Sequence, residues 1–192
     1  MALDLITHPA EEPVSLVEAK RDMRLDDAFT EHDLLIEGLI TAARERYENI
    51  CNRAFIRQQW QIVEWRFPAA RKTILLPLSP LISVDKIAYQ DTAGDWHELE
   101  EDDYQVDMSE PPKIFPVHSW PVTHHAPDAV SITFTAGYGS AIDVPESIKN
   151  AIRLYCKAHY ESAFNDGASR EYERRMAAAD ALISTYRVFQ FR

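Results

Sequence analysis

Positive charge is in short supply in this chain: 20 Lys and Arg stand against 31 Asp and Glu, a formal net charge of −11. Binding to a nucleic-acid backbone is driven by Lys and Arg displacing counterions. The balance therefore argues against adhesion to DNA or RNA, although DNA can pass nearby without sticking. Glycine is scarce too, five residues against eleven prolines, so connections are expected to be stiff and extended. The two cysteines, Cys51 and Cys156, fall on apolar helical stripes, where a buried reduced thiol is the expected state. A disulfide between them stays open on sequence alone. No run of 18 apolar residues occurs, so no helix is expected to span a membrane. The opening MALDLITHPAEEP has no basic region followed by an apolar stretch, so we expect no signal peptide and a start in the cytoplasm.

What the chain does have is material for a core. Its 192 residues are 46% hydrophobic and include four Trp, eight Tyr and eight Phe, enough for one folded domain. Its charge is unevenly spread. From Asp85 to Glu110 there are ten acidic residues, with Lys86 as the single base; from Ala151 to Arg192 there are seven Lys or Arg against five Asp or Glu.

Helix signals stand at both ends. Ser15 is a natural N-cap, and Glu18 three residues on can close a capping box, predicting a short helix to about Arg24. A second start is expected at Thr30, with Glu31 and Asp33 in the first turn. Ile36, Leu39, Ile40, Ala43, Tyr47, Ile50 and Cys51 then recur at steps of three and four, the mark of a long amphipathic helix. Near the other end, Pro145 and Glu146 open a helix whose apolar face carries Ile148, Ala151, Ile152, Tyr155 and His159, with Cys156 at its margin. Asn165-Asp166-Gly167 is expected to end it. Ser169 is expected to cap a last helix bearing Tyr172, Met176, Ala179, Leu182, Ile183 and Tyr186.

Between the helices the period changes to two. Arg57 to Phe67, Thr73 to Leu76, Val84 to Tyr89, Trp96 to Leu99, Tyr104 to Asp107, Ile114-Phe115 and Val130 to Ala136 read as short strands, several separated by prolines or by the Asp91–Gly94 turn. Pro77 and Pro80 mark edges or bends. Helices and strands are segregated rather than alternating, so the predicted class is α+β. We expect two N-terminal and two C-terminal helices in a bundle, with an antiparallel β region inserted between them.

No catalytic motif emerges. The acids Glu98, Glu100, Glu101, Asp102 and Asp103 lack the D-x-[DN]-x-[DN]-G spacing of a calcium loop and read first as a solvated hairpin rim. His118, His124 and His125 share a proline-rich loop, and a loop does not give them a matching Cys or acid at helical ligand spacing. There is no G-x-S-x-G, and neither cysteine sits at a strand-to-helix turn. The stretch VSITFTAGYG, Val130 to Gly139, resembles the start of a G-x-G-x-x-G phosphate loop. However, position 142 is Ile142, and the helix begins only near Pro145. A phosphate loop must feed directly into a helix N-terminus, so the pair Gly137 and Gly139 is read instead as a joint between the β region and the following helix.

Several segments in their order carry a resemblance. PVSLVEAKRDMRLD gives a short capped helix with Leu16, Glu18 and Ala19, then Leu25. EHDLLIEGLITAARERYENICNRAFIRQQW gives a long helix running into Arg53-Ala54 and a strand with Gln59 and Trp60. LPLSPLISVDKIAYQDTAGDW, DAVSITFTAGYG with VPESIKNAI, a helix with His159 and Tyr160, and the ending ALISTYRVFQF complete the set. Together they resemble the head–tail connector (adaptor, head-completion) proteins of tailed phages, prophages and phage-like gene transfer agents, over nearly the whole chain.

The resemblance implies a structural, non-enzymatic protein without cofactor. It would form a homo-oligomeric ring, with twelve copies expected, under the portal protein after DNA packaging. The ring would extend the DNA channel and dock the tail or a tail-side connector or terminator. It implies a single connector domain over 1–192, helical at 15–54 and 144–186, with the β region at 57–137 and a tail at 187–192. It also implies assembly in the cytoplasm of a bacterial host, a place at the head–tail junction, and no membrane. The tail would bind the portal through Arg187, Val188, Phe189, Phe191 and Arg192. The acids Glu98, Glu100, Glu101, Asp102 and Asp103 are expected to face the channel or the tail side. Two other readings stay open: a monomeric or dimeric protein-binding module, and a metal-dependent hydrolase using the His118/His124/His125 loop.

Overall fold

The structure is a computed structural model that describes residues 2–69, 72–164 and 169–189. Two compact units divide the chain. One is built from Ala10–Ile56 and Gly139–Arg187, the other from Met1–Pro9, Arg57–Tyr138 and Val188–Arg192.

The first unit is helical. Helix α1 (Leu16–Met23) opens with the predicted capping box: the Ser15 side chain accepts the Glu18 N–H, and the Glu18 carboxylate accepts the Ser15 N–H at 2.8 Å. The carboxyl of Glu18 is held below its usual range, first by that backbone bond and then by the Ser15 hydroxyl. Helix α2 (Asp33–Cys51) starts later than the expected Thr30. Lys20, buried on α1, binds the Asp33 carboxylate at 2.5 Å and the Asp27 carbonyl at 3.3 Å. The intervening residues are thereby held as turns against α1, and the helix forms only from Asp33 onward.

Helix α3 (Glu146–Phe164) follows Pro145, whose carbonyl accepts the Ile148 and Lys149 N–H groups. Cys156, expected at the margin of the apolar face, is fully buried, and α1, α2 and α4 all pack on α3. Helix α4 is described over Ser169–Ser184; the residues before it, with the expected stop at Asn165 to Gly167, lie outside the described residues. Ile36, Ile40, Ala43, Tyr47, Ile148, Ala151, Ile152, Ala179 and Ile183 fill this core. Both cysteines are buried free thiols, and burial pushes Cys51 up to about 11 and Cys156 up to about 12.

The second unit holds the strands β1 (Ala2–Thr7), β2 (Gln58–Glu64), β3 (Ile74–Leu75), β4 (Leu81–Gln90), β5 (Trp96–Glu98), β6 (Tyr104–Asp107), β7 (Lys113–Pro116) and β8 (Val130–Ala136). A five-stranded sheet has the order β1-β2-β8-β4-β5, and a three-stranded sheet the order β3-β7-β6. Every pairing is antiparallel. The class is thus α+β, as expected. The predicted strands all form, and β1 adds one that the sequence reading did not assign.

Strand β8 sits at the middle of the larger sheet, with Val130, Ile132, Phe134 and Ala136 buried on one face. Register places Ile62 and Ile87 on either side of Ile132, forming a fully buried isoleucine row across three strands. The opposite face is polar. Asp85, at a bulge of β4, accepts from Gln59 Nε2 at 2.9 Å and from Thr135 Oγ1 at 2.7 Å. Past β8, Gly137 and Gly139 take φ values of 133° and 125°, which non-glycine residues avoid. A 3-10 turn at Ala141–Asp143 then intervenes before α3, so no helix N-terminus meets the glycines.

Candidate functional site

The expected portal-binding segment begins where α4 ends. The Tyr186 carbonyl accepts Arg53 Nε at 2.6 Å, and the Cys51 thiol reaches the Ile183 carbonyl at 3.6 Å. The Ile183 carbonyl also accepts the Tyr186 N–H at 3.0 Å, and together these contacts pin the end of α4 to the end of α2. Beyond this anchor Arg187 is exposed, Val188 is buried and Phe189 is 66% exposed. Phe191 and Arg192 lie outside the described residues.

The expected acidic surface is contiguous. Strand β5, an edge strand, ends at Glu98; Glu100 precedes a 3-10 turn of Glu101, Asp102 and Asp103, which leads into β6. The turn is closed by the Asp103 N–H on the Glu100 carbonyl at 3.0 Å and tied to the smaller sheet by the Val117 N–H on the Asp103 carbonyl at 2.9 Å. All five carboxylates are exposed. Glu98 pairs with Lys86 at 2.9 Å, whereas Glu100, Glu101, Asp102 and Asp103 have no ion pair among the described residues. The charge is felt next door: the Tyr104 hydroxyl is pushed up by burial and then by Glu101 and Glu98.

The histidine loop takes a different form from a metal centre. His124 and His125 line a groove of about 590 Å³ together with Trp65, Arg66, Trp120 and Val122, and His118 is not part of its lining. Trp120 stacks on Phe67 at 4.8 Å and 7°, and its Nε1 donates to the Lys72 carbonyl at 2.7 Å. The His124 N–H is held by the Gln90 carbonyl at 3.0 Å, and His125 meets Trp65 edge-on. Among the described residues no carboxylate lines this groove, and the acids at 98–103 are not part of its lining. Among the described residues no group of three or more His, Cys, Asp or Glu is placed to hold a metal ion. The groove escaped the sequence reading because its walls lie more than 50 residues apart in the chain; the signal available was Trp65 and Trp120, each next to a basic or proline residue.

An α+β chain made of four helices and two antiparallel sheets of short strands is the class these features define. Among solved structures its fold is similar to a chain in a neck of an empty gene transfer agent particle, computed with C6 symmetry. That match has a TM-score of 0.78 at 20% identity and covers 100% of this chain and 98% of the other. It is likewise similar to a chain in the virion of a native gene transfer agent particle, with TM-score 0.77, 21% identity and the same coverage. A chain in a neck of the native particle, computed with C12 symmetry, matches at TM-score 0.71 and 20% identity, again over 100% and 98%. No protein-family model matches the chain, and no curated protein sequence matches it.

Proposed function

We propose that this chain is a structural neck component of a phage-like particle, a head–tail connector. Copies assemble as a ring, with twelve as the expected number, under the portal protein once DNA is packaged. The ring extends the DNA channel and gives the tail, or a tail-side connector or terminator, a platform to dock on. It needs no cofactor and catalyses nothing. Assembly takes place in the bacterial host's cytoplasm, and the finished ring lies at the head–tail junction.

The observation that carries this reading is the full-length likeness of fold to chains of gene transfer agent necks, over 100% of this chain and 98% of those. It is joined by the order of segments from the capped α1 to the Arg187–Phe189 ending. Within this reading, Arg187, Val188, Phe189, Phe191 and Arg192 engage the portal, and the exposed carboxylates at 98–103 face the channel or the tail side. A heterologous, head-to-tail contact that closes on rotation is the symmetry such a ring requires.

Imaging purified particles for a ring at the portal–tail junction tests the proposal, with deletion of the gene as the second arm. The expected deletion product is a DNA-filled, tailless head. Normally tailed particles in its absence would overturn the reading.

A further inference from the structure

Gly38 has no internal reason to be glycine. It lies in the middle of α2 with a helical backbone, and a Cβ placed there would meet nothing within 4 Å. Glycine at such a position costs about 0.5–1 kcal/mol relative to alanine. What its missing side chain does provide is bare helix backbone, open to close approach from outside. One turn earlier, on the same face, Leu34 is 86% exposed. Glu31 and Glu37 flank it; both are exposed, and neither has an ion pair among the described residues.

The Trp65–Val122 groove has the opposite character. Val122 is 76% exposed and Trp65 55% exposed, an apolar rim over a floor preset by the Trp120–Phe67 stack. Arg66 is exposed, without an ion pair among the described residues, and the lining holds imidazoles but no carboxylate. On a chain of net charge −11 such a surface is an exception.

We propose that the α2 face around Leu34 and Gly38 docks into the Trp65–Val122 groove of a second copy of this chain. The inference rests on the ring reading above and names the contact that would build the ring. Leu34 enters between Trp65 and Val122, and Gly38 lets the groove rim approach the helix backbone. Glu31 and Glu37 meet Arg66. On a chain of net charge −11, like-charge repulsion disfavours acid-to-acid pairings and so helps set the register. Knob and groove are different patches of one protomer, which makes the contact heterologous.

The test uses the full chain carrying Leu34→p-benzoylphenylalanine, irradiated in assembled particles. A band of twice the chain mass is expected, with the adduct mapping to residues 65–69 or 120–125. Gly38→Ala should raise the thermal midpoint of the isolated chain yet cut the doubled band several-fold, a pair of opposite signs that a purely structural glycine would not give. Arg66→Glu should abolish the band, and Arg66→Glu combined with Glu37→Arg should restore it. Leu34 and Arg66 are exposed, and thermal melts of each variant check that it folds. If the chain is present in particles but no doubled band forms, or the adduct maps elsewhere, the docking contact is overturned and the neck reading stands. Absence of the chain from particles overturns both.

Discussion

Arg44 donates from Nε to Glu12 and from Nη1 to Glu48, both at 2.8 Å, while Glu48 accepts the Phe55 N–H at 2.7 Å. The side chains of Arg44 and Glu48 are only 6% and 10% exposed. Removing one member of such a pair leaves an uncompensated buried charge, so Arg44→Met should cost about 3 kcal/mol or more in chemical denaturation. Arg44→Met with Glu48→Gln should recover much of that loss. Tyr47, in the same core, has a buried hydroxyl without a hydrogen-bond partner among the described residues. Tyr47→Phe should therefore leave stability unchanged or raise it, since the orphaned group is an uncompensated desolvation. His159 contributes one part of this unit's response to acid. Its ring lies 4.1 Å from that of Tyr155, and Nε2 shares a 3.3 Å hydrogen bond with the Tyr172 hydroxyl. Burial first, then the Arg46 charge, hold its pKa below the usual 6.5. The unfolded chain thus takes up the proton at a higher pH than the folded one. Stability present above about pH 6.5 is lost as pH falls through that value toward the lowered folded pKa. His159→Gln should flatten this part of the stability–pH curve; an unchanged slope would remove His159 from the account.

At the scale of elements, the joint after β8 combines an unusual backbone with a tight contact. Gly139 has φ +125°, and a Cβ there would fall 2.8 Å from Asp143 Oδ2, the carboxylate that closes the Ser140 capping box. Gly139→Ala should destabilise by about 2 kcal/mol, more than the roughly 1 kcal/mol expected for Ser15→Ala at the start of α1. Denaturation midpoints of the two variants check this order. These two places also show what was legible beforehand. The Ser15–Glu18 box and the alternating Val130 to Ala136 are local signals, a cap three residues long and a period of two, and both form as read. Strand β1 was not read, although Leu3 and Leu5 alternate with Asp4, because six residues do not declare a strand until a partner is known. That partner is β2, with Ala2 opposite Val63 some 60 residues on. The late start of α2 was hidden for a related reason: it depends on Lys20 of α1 reaching Asp33. The candidate surfaces divide in the same way. A run of acids is visible in any sequence, whereas a groove between 65–69 and 120–125 exists only after folding.

For the whole molecule, the distribution of charge bears on the proposed role more directly than any single residue. Four carboxylates at 100–103 stand exposed on each protomer without ion pairs among the described residues. A single exposed charge acts weakly in water and is screened within about 8–10 Å at physiological salt. In a ring the same four charges recur in every subunit, and charge of one sign lining a confined passage is focused rather than dispersed. A channel that must let DNA through without holding it needs that sign to be negative, since adhesion would begin with Lys or Arg displacing counterions. Glu100→Lys, Glu101→Lys and Asp102→Lys together should therefore leave the chain folded, the positions being exposed, while particles lose DNA or fail to join tails. The neutral set Glu100→Gln, Glu101→Gln and Asp102→Asn should show a smaller effect of the same direction. Nuclease-protected DNA per particle and the tailed fraction in micrographs measure the two outcomes separately. Loss of protected DNA would assign the acids to the channel, and full heads without tails would assign them to the tail-side rim. Unchanged transfer by the triple lysine variant would take the acidic ridge out of the function altogether.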